Sequence, residues 1–555
     1  MKKSAAISTI LSYHEETKHH FHRYARSAGY MDWDNQPDPF RRYNGAEMMR
    51  FPLDLPRISV SYEGLFDKTA CYNTPLTVES LGRFLELSLG LSAWKSYAGS
   101  KWALRMNPSS GNLHPTEAHF ILPEVGSNNQ QKDIPSGVYH YNPLYHGLEK
   151  RAVISSNLSA DLFNNLNKKG FLLCLCSIFW REAWKYGERA FRYCMLDAGH
   201  ALASIRFAAN LMGWRALVMK GVSDETAGRM LGFHKTAWVE GEAEHPDMMV
   251  HVFPAEENDM HETIHHIPNE ISDATAKLMF TGKPAPLSWR KVNWDIIDGV
   301  AEATAKQDEK PVSLLSASIS AQSHFRPAKS QFTAEDVIRK RRSAQAFTPV
   351  ETMPLSVFLS ILEKTLPKSN RPPFDADMGF HRAHLLIFVH RVDGITPGLF
   401  FLCRDMGAIE DIQREMTAPF DWIAVSEDMP LYLLKKGDYT SIAQRVSCNQ
   451  EIAGNSVFSL GMVIMFRGPI EQSPHEYRRL HVECGMTGQV LYLSAEAYGY
   501  SGTGIGCFFD DAVHDLLGLK SNTFQTLYHF TIGKPVIDRR LTTLNAYHHL
   551  NSQGA

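Results

Sequence analysis

The chain has 555 residues, 44% of them hydrophobic and 21% charged, with 57 basic against 60 acidic side chains and a net charge of −3. That is a globular composition, long enough for about three domains that each bury a core without disulfide or metal staples. The near-neutral balance lacks the footprint of a nucleic-acid or anionic-membrane binder, and eight cysteines are too few for a disulfide framework, which favours a reducing, cytoplasmic setting.

At the N-terminus Lys2 and Lys3 precede a short apolar stretch to Leu11, but Tyr13-His14-Glu15-Glu16 follows without a small-residue cleavage site, so no export signal is expected. Residues 1–74 form an extension outside any repeat, and His19-His20-Phe21-His22 within it has no paired ligand cluster. Further on, Arg105-Met106-Asn107-Pro108-Ser109-Ser110-Gly111-Asn112-Leu113-His114-Pro115 sets small hydroxyl and amide residues between prolines. Such a segment makes a loop that offers donors to a flat polar ligand, or equally a turn bonded to itself. The longest apolar run, Phe171 to Trp180, is about half a membrane span and reads as a buried strand or core helix. Just after it stands Lys185-Tyr186. A lysine beside a tyrosine handles protons when partly desolvated, with the lysine lowering the tyrosine pKa; exposed, the pair is ordinary surface.

Residues 188–233 align without a gap onto 474–519, an offset of 286 that pairs Arg192 with Arg478, Gly199 with Gly485 and Asp224 with Asp510. In both copies a helix-period segment (Cys194 to Met212; Leu480 to Tyr498) runs through a glycine into a short strand and then a helix opened by the aspartate. Weaker echoes pair Phe84-Leu85 with Phe358-Leu359, Ala118-His119 with Ala383-His384 and Gly137-Val138-Tyr139 with Gly398-Leu399-Phe400. The expected organisation is an extension (1–74), a first copy (75–260), a linker (261–332) and a second copy (333–545). Helices and irregularly spaced strands make each copy α+β.

The second copy opens with Arg339-Lys340-Arg341-Arg342-Ser343-Ala344-Gln345-Ala346-Phe347, four cations and a hydroxyl that suit an anion or a solvated helix end. Lys534, Arg539 and Arg540 add cations near its close. Gly502-Thr503-Gly504-Ile505-Gly506 follows a helix rather than opening one, so it is no dinucleotide fingerprint; its glycines suit close approach of the backbone to a ligand or helix. His261-Glu262-Thr263-Ile264-His265 has zinc-protease spacing, but its proline-flanked setting does not suit the long helix such a site needs, and no metal is expected.

Several of these residues fall together. Arg341-Arg342-Ser343-x-Gln345-x-Phe347 resembles the opening motif of the nitroreductase family, and Gly504-Ile505-Gly506-Cys507-Phe508 with Gly533-Lys534-Pro535 resembles that family's C-terminal half. The first copy is similar to the SagB-type branch, the azoline dehydrogenases, through Asn107 to Pro115, Gly137 to Tyr141 and Leu196 to His200. The resemblance implies an α+β fold of two tandem nitroreductase-like domains, each a mixed sheet flanked by helices, pairing as an intramolecular pseudo-dimer around FMN. The chain is then monomeric or oligomerises further. The second copy has Pro373-Phe374-Asp375-Ala376-Asp377 in place of the Pro108 to Asn112 loop, and the first copy has no counterpart of Arg341-Arg342-Ser343. One intact flavin site and one decayed site are therefore expected. By resemblance the cofactor-binding residues are Pro108, Ser109, Ser110, Asn112, Arg341, Arg342, Ser343, Gln345, Gly504, Ile505, Gly506, Lys534 and Arg539, and the catalytic pair is Lys185 and Tyr186. Gln345 stands where the family often has a cation. The implied activity is hydride transfer between flavin N5 and a small-molecule or peptide heterocycle, with NAD(P)H as a transient co-substrate. The competing readings are a flavin-free binding or partner subunit of degenerate fold and a zinc hydrolase.

Overall fold

The two helix-period segments form helices of 22 residues each, Ala190–Leu211 and Glu476–Ala497, in a computed structural model. The structure describes residues 2–67, 74–128, 132–166, 168–255, 266–307, 325, 327–379 and 381–551. The long helices meet where both copies carry glycine: a Cβ on Gly199 would stand 2.1 Å from the Val482 carbonyl, and one on Gly485 would stand 2.0 Å from the Leu196 carbonyl. These glycines are equivalent residues of the two copies, so each contact is answered by its symmetry mate, as at an isologous dimer interface. The ion pairs obey the same symmetry. Arg192 of the first copy reaches Asp510 of the second at 2.7 Å, while Arg478 of the second reaches Asp224 of the first at 2.9 Å.

Each copy builds a seven-stranded sheet. The first has the spatial order Glu47–Arg50, Gly147–Val153, Gly137–Asn142, Thr116–Leu122, Phe171–Ser177, His245–Pro254, Trp214–Val218. The second runs Ile423–Ser426, Met429–Lys436, Gly398–Leu402, Ala383–Val389, Phe458–Met465, Phe524–Gly533, Ser501–Ile505. Six of the seven positions correspond strand for strand; at the edge the first sheet takes Glu47–Arg50 from the extension where the second uses Ile423–Ser426 of its own copy. Neighbouring strands run antiparallel, and the parallel component is at one edge, where Ser343 bridges Gly502. The architecture is α+β, with helices packed on the sheets. The apolar run at 171–180 divides into the buried strand Phe171–Ser177 and the start of helix Phe179–Tyr186.

The segments outside the repeats are integral to the packing. Helix Lys3–Glu16 buries Ala6, Ile10, Tyr13 and His14 and packs along helix Asp295–Ala303. Strand Glu47–Arg50 supplies the edge of the first sheet. The stretch expected as a linker holds, in its described part, helices Asn269–Ala276 and Asp295–Ala303 and a strand pair with Tyr43–Asn44. Ile297, Val300 and Ala301 recur at helical spacing there and bury one face, which a solvated linker has no means to do. Near the C-terminus, Thr542–Leu544 crosses back to pair with Leu91–Tyr97 of the first copy. The His261 to His265 motif lies outside the described residues. Among the described residues no helix is long and apolar enough to cross a membrane.

Candidate active site between the two copies

A cavity of about 690 Å³ lies between the copies, walled by the Asn107 to Asn112 loop and the start of the first long helix on one side. Lys340 to Gln345 and the strand Ser501–Ile505 with Gly506 form the other side. Of the residues singled out by the sequence, Pro108, Ser109, Ser110, Asn112, Arg341, Arg342, Ser343, Gln345, Gly504, Ile505, Gly506 and Tyr186 all line it. Lys185, Lys534 and Arg539 do not. Lys534 and Arg539 are exposed, and Lys534 Nζ donates to the Gly499 carbonyl at 2.9 Å, although the Pro535 to Asp538 segment between them lines the cavity.

Arg341 is 4% exposed, donates from Nη2 to the Arg105 carbonyl at 3.0 Å, and lies 5.2 Å from the Tyr492 ring centre. Its Nε has no partner. Arg342 donates to the Arg339 and Ser92 carbonyls at 2.8 and 3.0 Å. Among the described residues neither guanidinium has an ion-pair partner. Burial lowers both pKa values, that of Arg342 to about 10 with Arg341 as the second cause. A buried cation beside a half-buried one, both sensing Glu496 in the same cavity wall but neither in an ion pair, suits an anion.

The glycine segment is a strand whose alternate residues face aromatic rings. A Cβ on Gly504 would fall 1.9 Å from Tyr528 OH, and one on Gly506 would fall 2.0 Å from the Tyr193 ring. Tyr492 OH sits 2.9 Å from Ser343 Oγ and accepts the Gly504 N–H at 2.9 Å, joining the basic segment to the glycine strand.

In the loop of the first copy, the donors are largely committed to the protein. Ser110 donates from its N–H and Oγ to Asp197 at 3.1 and 2.9 Å, and Asn112 Nδ2 donates to the Ala103 carbonyl at 2.9 Å. The self-bonded turn is thus part of the wall, and the Asn107 Oδ1 behind it has no partner. Burial lifts Asp197 to about 7, against the lowering by its serine hydrogen bonds. A Cβ on Gly111 would stand 2.7 Å from Tyr186 OH and 3.1 Å from Lys185 Nζ, so the Lys-Tyr pair abuts the loop. The expected lowering of the tyrosine pKa by lysine is not found. Burial first, then Glu182, raises the Tyr186 phenol well above its ordinary value and keeps it protonated.

Tyr193 lines the cavity, as do Asp197 and His200 of the Leu196 to His200 motif, though none of the three was expected to be a site residue. Their spacing of four and three puts them on one face of the first long helix, a polar stripe that helical periodicity could have revealed. His200 Nε2 lies 3.1 Å from Tyr528 OH, and burial lowers its pKa to about 3. The symmetry-related cavity, about 670 Å³, is built differently. At the positions answering Gly506 and Asn112 stand Lys220 and Asp377, which pair with each other. At the position answering Tyr492 stands Arg206, paired with Asp375 at 2.8 Å. Near the N-terminus Glu15, His20 and Asp511 converge, but Lys18 Nζ sits between the two carboxylates at 2.9 and 2.8 Å.

Residues 338–534 match the nitroreductase family model. This region belongs to the nitroreductase family. The whole chain has the same fold: a crystal structure of a candidate nitroreductase from Anabaena variabilis superposes with a TM-score of 0.66 and 20% identity, covering 95% of this chain and 99% of that one. The chain is also similar to the microcin B17-processing protein McbC of Escherichia coli, 28% identical over 132 residues, 23% of this chain and 48% of McbC. It is similar as well to the trifolitoxin-processing protein TfxB of Rhizobium leguminosarum bv. trifolii, 30% identical over 125 residues, 21% of this chain and 32% of TfxB. The chain therefore spans about half or less of the length of these two curated relatives.

Proposed function

We propose that the chain is an FMN-dependent oxidoreductase with one flavin site per chain, acting on a heterocycle carried by a small molecule or peptide in a reducing, cytoplasmic compartment. The observation that carries this reading is buried Arg341 beside half-buried Arg342, neither in an ion pair, in the wall of a cavity of flavin size. Arg341, Arg342 and Ser343 would hold the phosphate. Pro108 to Asn112, Gln345 and Gly504 to Gly506 would border the ring, and the unpartnered Asn107 Oδ1 and Arg341 Nε remain to be satisfied by a polar ligand. Similarity to two proteins named for processing peptides favours a peptide-borne substrate.

FMN bound there would supply two-electron hydride chemistry. The chain's own groups manage protons and position. Tyr186, kept protonated by burial, is a hydrogen-bond donor or general acid, with Lys185 beside it as the second proton-handling group. Asp197, titrating near neutrality, holds the serine loop by accepting from Ser110. The Lys220–Asp377 pair lines the opposite cavity at positions equivalent to Gly506 and Asn112, which supports a single working site.

The test is an absorbance spectrum of the purified protein with identification and counting of flavin after denaturation. FMN near one per chain is expected. A colourless protein that takes up no added FMN would instead favour a flavin-free partner subunit.

A further inference from the structure

Of the seven cysteines among the described residues, five are buried; the two partly exposed ones, Cys448 and Cys507, meet across loops distant in sequence. Cys448 follows helix Thr440–Val446 in a left-handed pair with Asn449, φ 54° and 59°, and Cys507 lies in the cavity wall after the glycine strand. The loops are clamped together. Phe509 N–H donates to the Val446 carbonyl at 2.9 Å and Gln450 Nε2 donates to the Cys507 carbonyl at 3.1 Å. These two bonds bring Cys448 and Cys507 together, close enough for each to shift the other's ionisation.

A third group arrives from the N-terminal extension. His19 is fixed by its N–H donating to the Asp510 carboxylate at 2.9 Å and by its carbonyl accepting the Asp510 N–H at 3.1 Å. The Ala25 N–H donates to His19 Nδ1 at 2.9 Å, so that nitrogen is the bare lone pair and the ring proton is on Nε2. That leaves Nε2–H as the ring's free donor, on a histidine close enough to Cys507 to shift its ionisation. The Arg189 guanidinium closes the cluster, donating to the Gly506 carbonyl at 3.2 Å.

We propose that Cys507 is a modification site, a thiolate that reacts with peroxides and soft electrophiles entering the cavity, and that Cys448 resolves the oxidised sulfur as a disulfide. With a peroxide, the Cys507 thiolate attacks one oxygen: an S–O bond forms, the O–O bond breaks and hydroxide leaves, giving a sulfenic acid. The Cys448 thiol then attacks that sulfur: the S–S bond forms, the S–O bond breaks, and the hydroxyl leaves with the Cys448 proton as water. The two sulfurs together lose two electrons, and the peroxide gains them. Cys448 and, against burial, His19 hold the Cys507 thiol below its usual range, with Arg189 adding to the effect. Tyr24, Tyr186, Tyr193 and Asp510 are the other titratable groups that sense this pair.

The experiment treats the full-length protein with hydrogen peroxide and maps its peptides by mass spectrometry, alongside iodoacetamide labelling of Cys507 from pH 6 to 8. The expected result is one linked peptide joining Cys448 to Cys507, two hydrogens lighter and released by dithiothreitol, and a labelling rate nearly flat with pH. In Cys448→Ser, peroxide should leave a Cys507 sulfenic acid trapped by dimedone. His19→Ala should restore part of the rise in labelling with pH. No linked peptide, or a wild-type labelling rate climbing about tenfold per pH unit as for an ordinary thiol of pKa ~8.5, overturns the proposal. These readouts need no flavin, so they stand apart from the test of the cofactor site.

Discussion

Arg341 presents a buried guanidinium that the protein leaves without a counter-ion, and such a charge costs stability unless an anion answers it. Arg341→Ala is therefore expected to lower FMN affinity at least about tenfold, about 1.4 kcal/mol, measured by flavin retention on dialysis. Unchanged retention would remove Arg341 from the phosphate site. Lys185→Ala is expected to keep its flavin while losing most turnover in single-turnover reduction, since the lysine abuts the Gly111 loop beside Tyr186. Asp197 gives a pH signature. Its folded pKa of about 7 lies above the ordinary 3.8, so between about pH 4 and 7 the folded chain holds a proton the unfolded chain has lost. Stability must then fall as pH rises through that window, by up to about 1.4 kcal/mol per pH unit for this one group. Asp247, raised to about 7 mainly by burial, acts in the same direction. Asp197→Asn is expected to flatten the slope of urea-unfolding stability between pH 4.5 and 6.5; parallel slopes for wild type and variant would show that Asp197 is ionised throughout.

At the scale of elements, the crossing of the two long helices depends on two glycines whose absent side chains let the backbones touch. Gly485→Ala is expected to destabilise by about 1–3 kcal/mol through overpacking, read as a lower urea midpoint. Gly468, exposed and with open space within 4 Å of where a Cβ would stand, is the control, and Gly468→Ala should leave the midpoint nearly unchanged. An equal effect at both sites would mean the crossing is not tightly packed. Much at this scale is legible in the chain, because helices and strands write their periods locally. The segments Cys194 to Met212 and Leu480 to Tyr498 lie within helices Ala190–Leu211 and Glu476–Ala497 to within a residue at the C-terminal ends. The glycine strand is different. Its repeat is visible as glycines, but the rings of Tyr528 and Tyr193 that demand them come from elsewhere in sequence.

At the scale of the whole molecule, the offset of 286 residues is realised as a pseudo-twofold relation, with Arg192–Asp510 and Arg478–Asp224 as reciprocal ties between copies. Symmetry makes two cavities, and divergence gives them different linings. FMN binding should saturate at one per chain; two per chain would mean that the Lys220–Asp377 pair does not exclude flavin from the second cavity. The sequence by itself determined the duplication, the α+β class, the basic Arg341-Arg342-Ser343 opening and the loop at Pro108 to Asn112, because repeats, periods and motifs are properties of neighbours along the chain. Only the tertiary structure decided that Arg341 meets the Arg105 carbonyl beside that loop, that burial raises Asp197 and Tyr186, that Lys534 and Arg539 turn away, and that His19 reaches Cys507. Each of these depends on desolvation or on contact between segments tens to hundreds of residues apart, and both arise only when the chain folds back on itself.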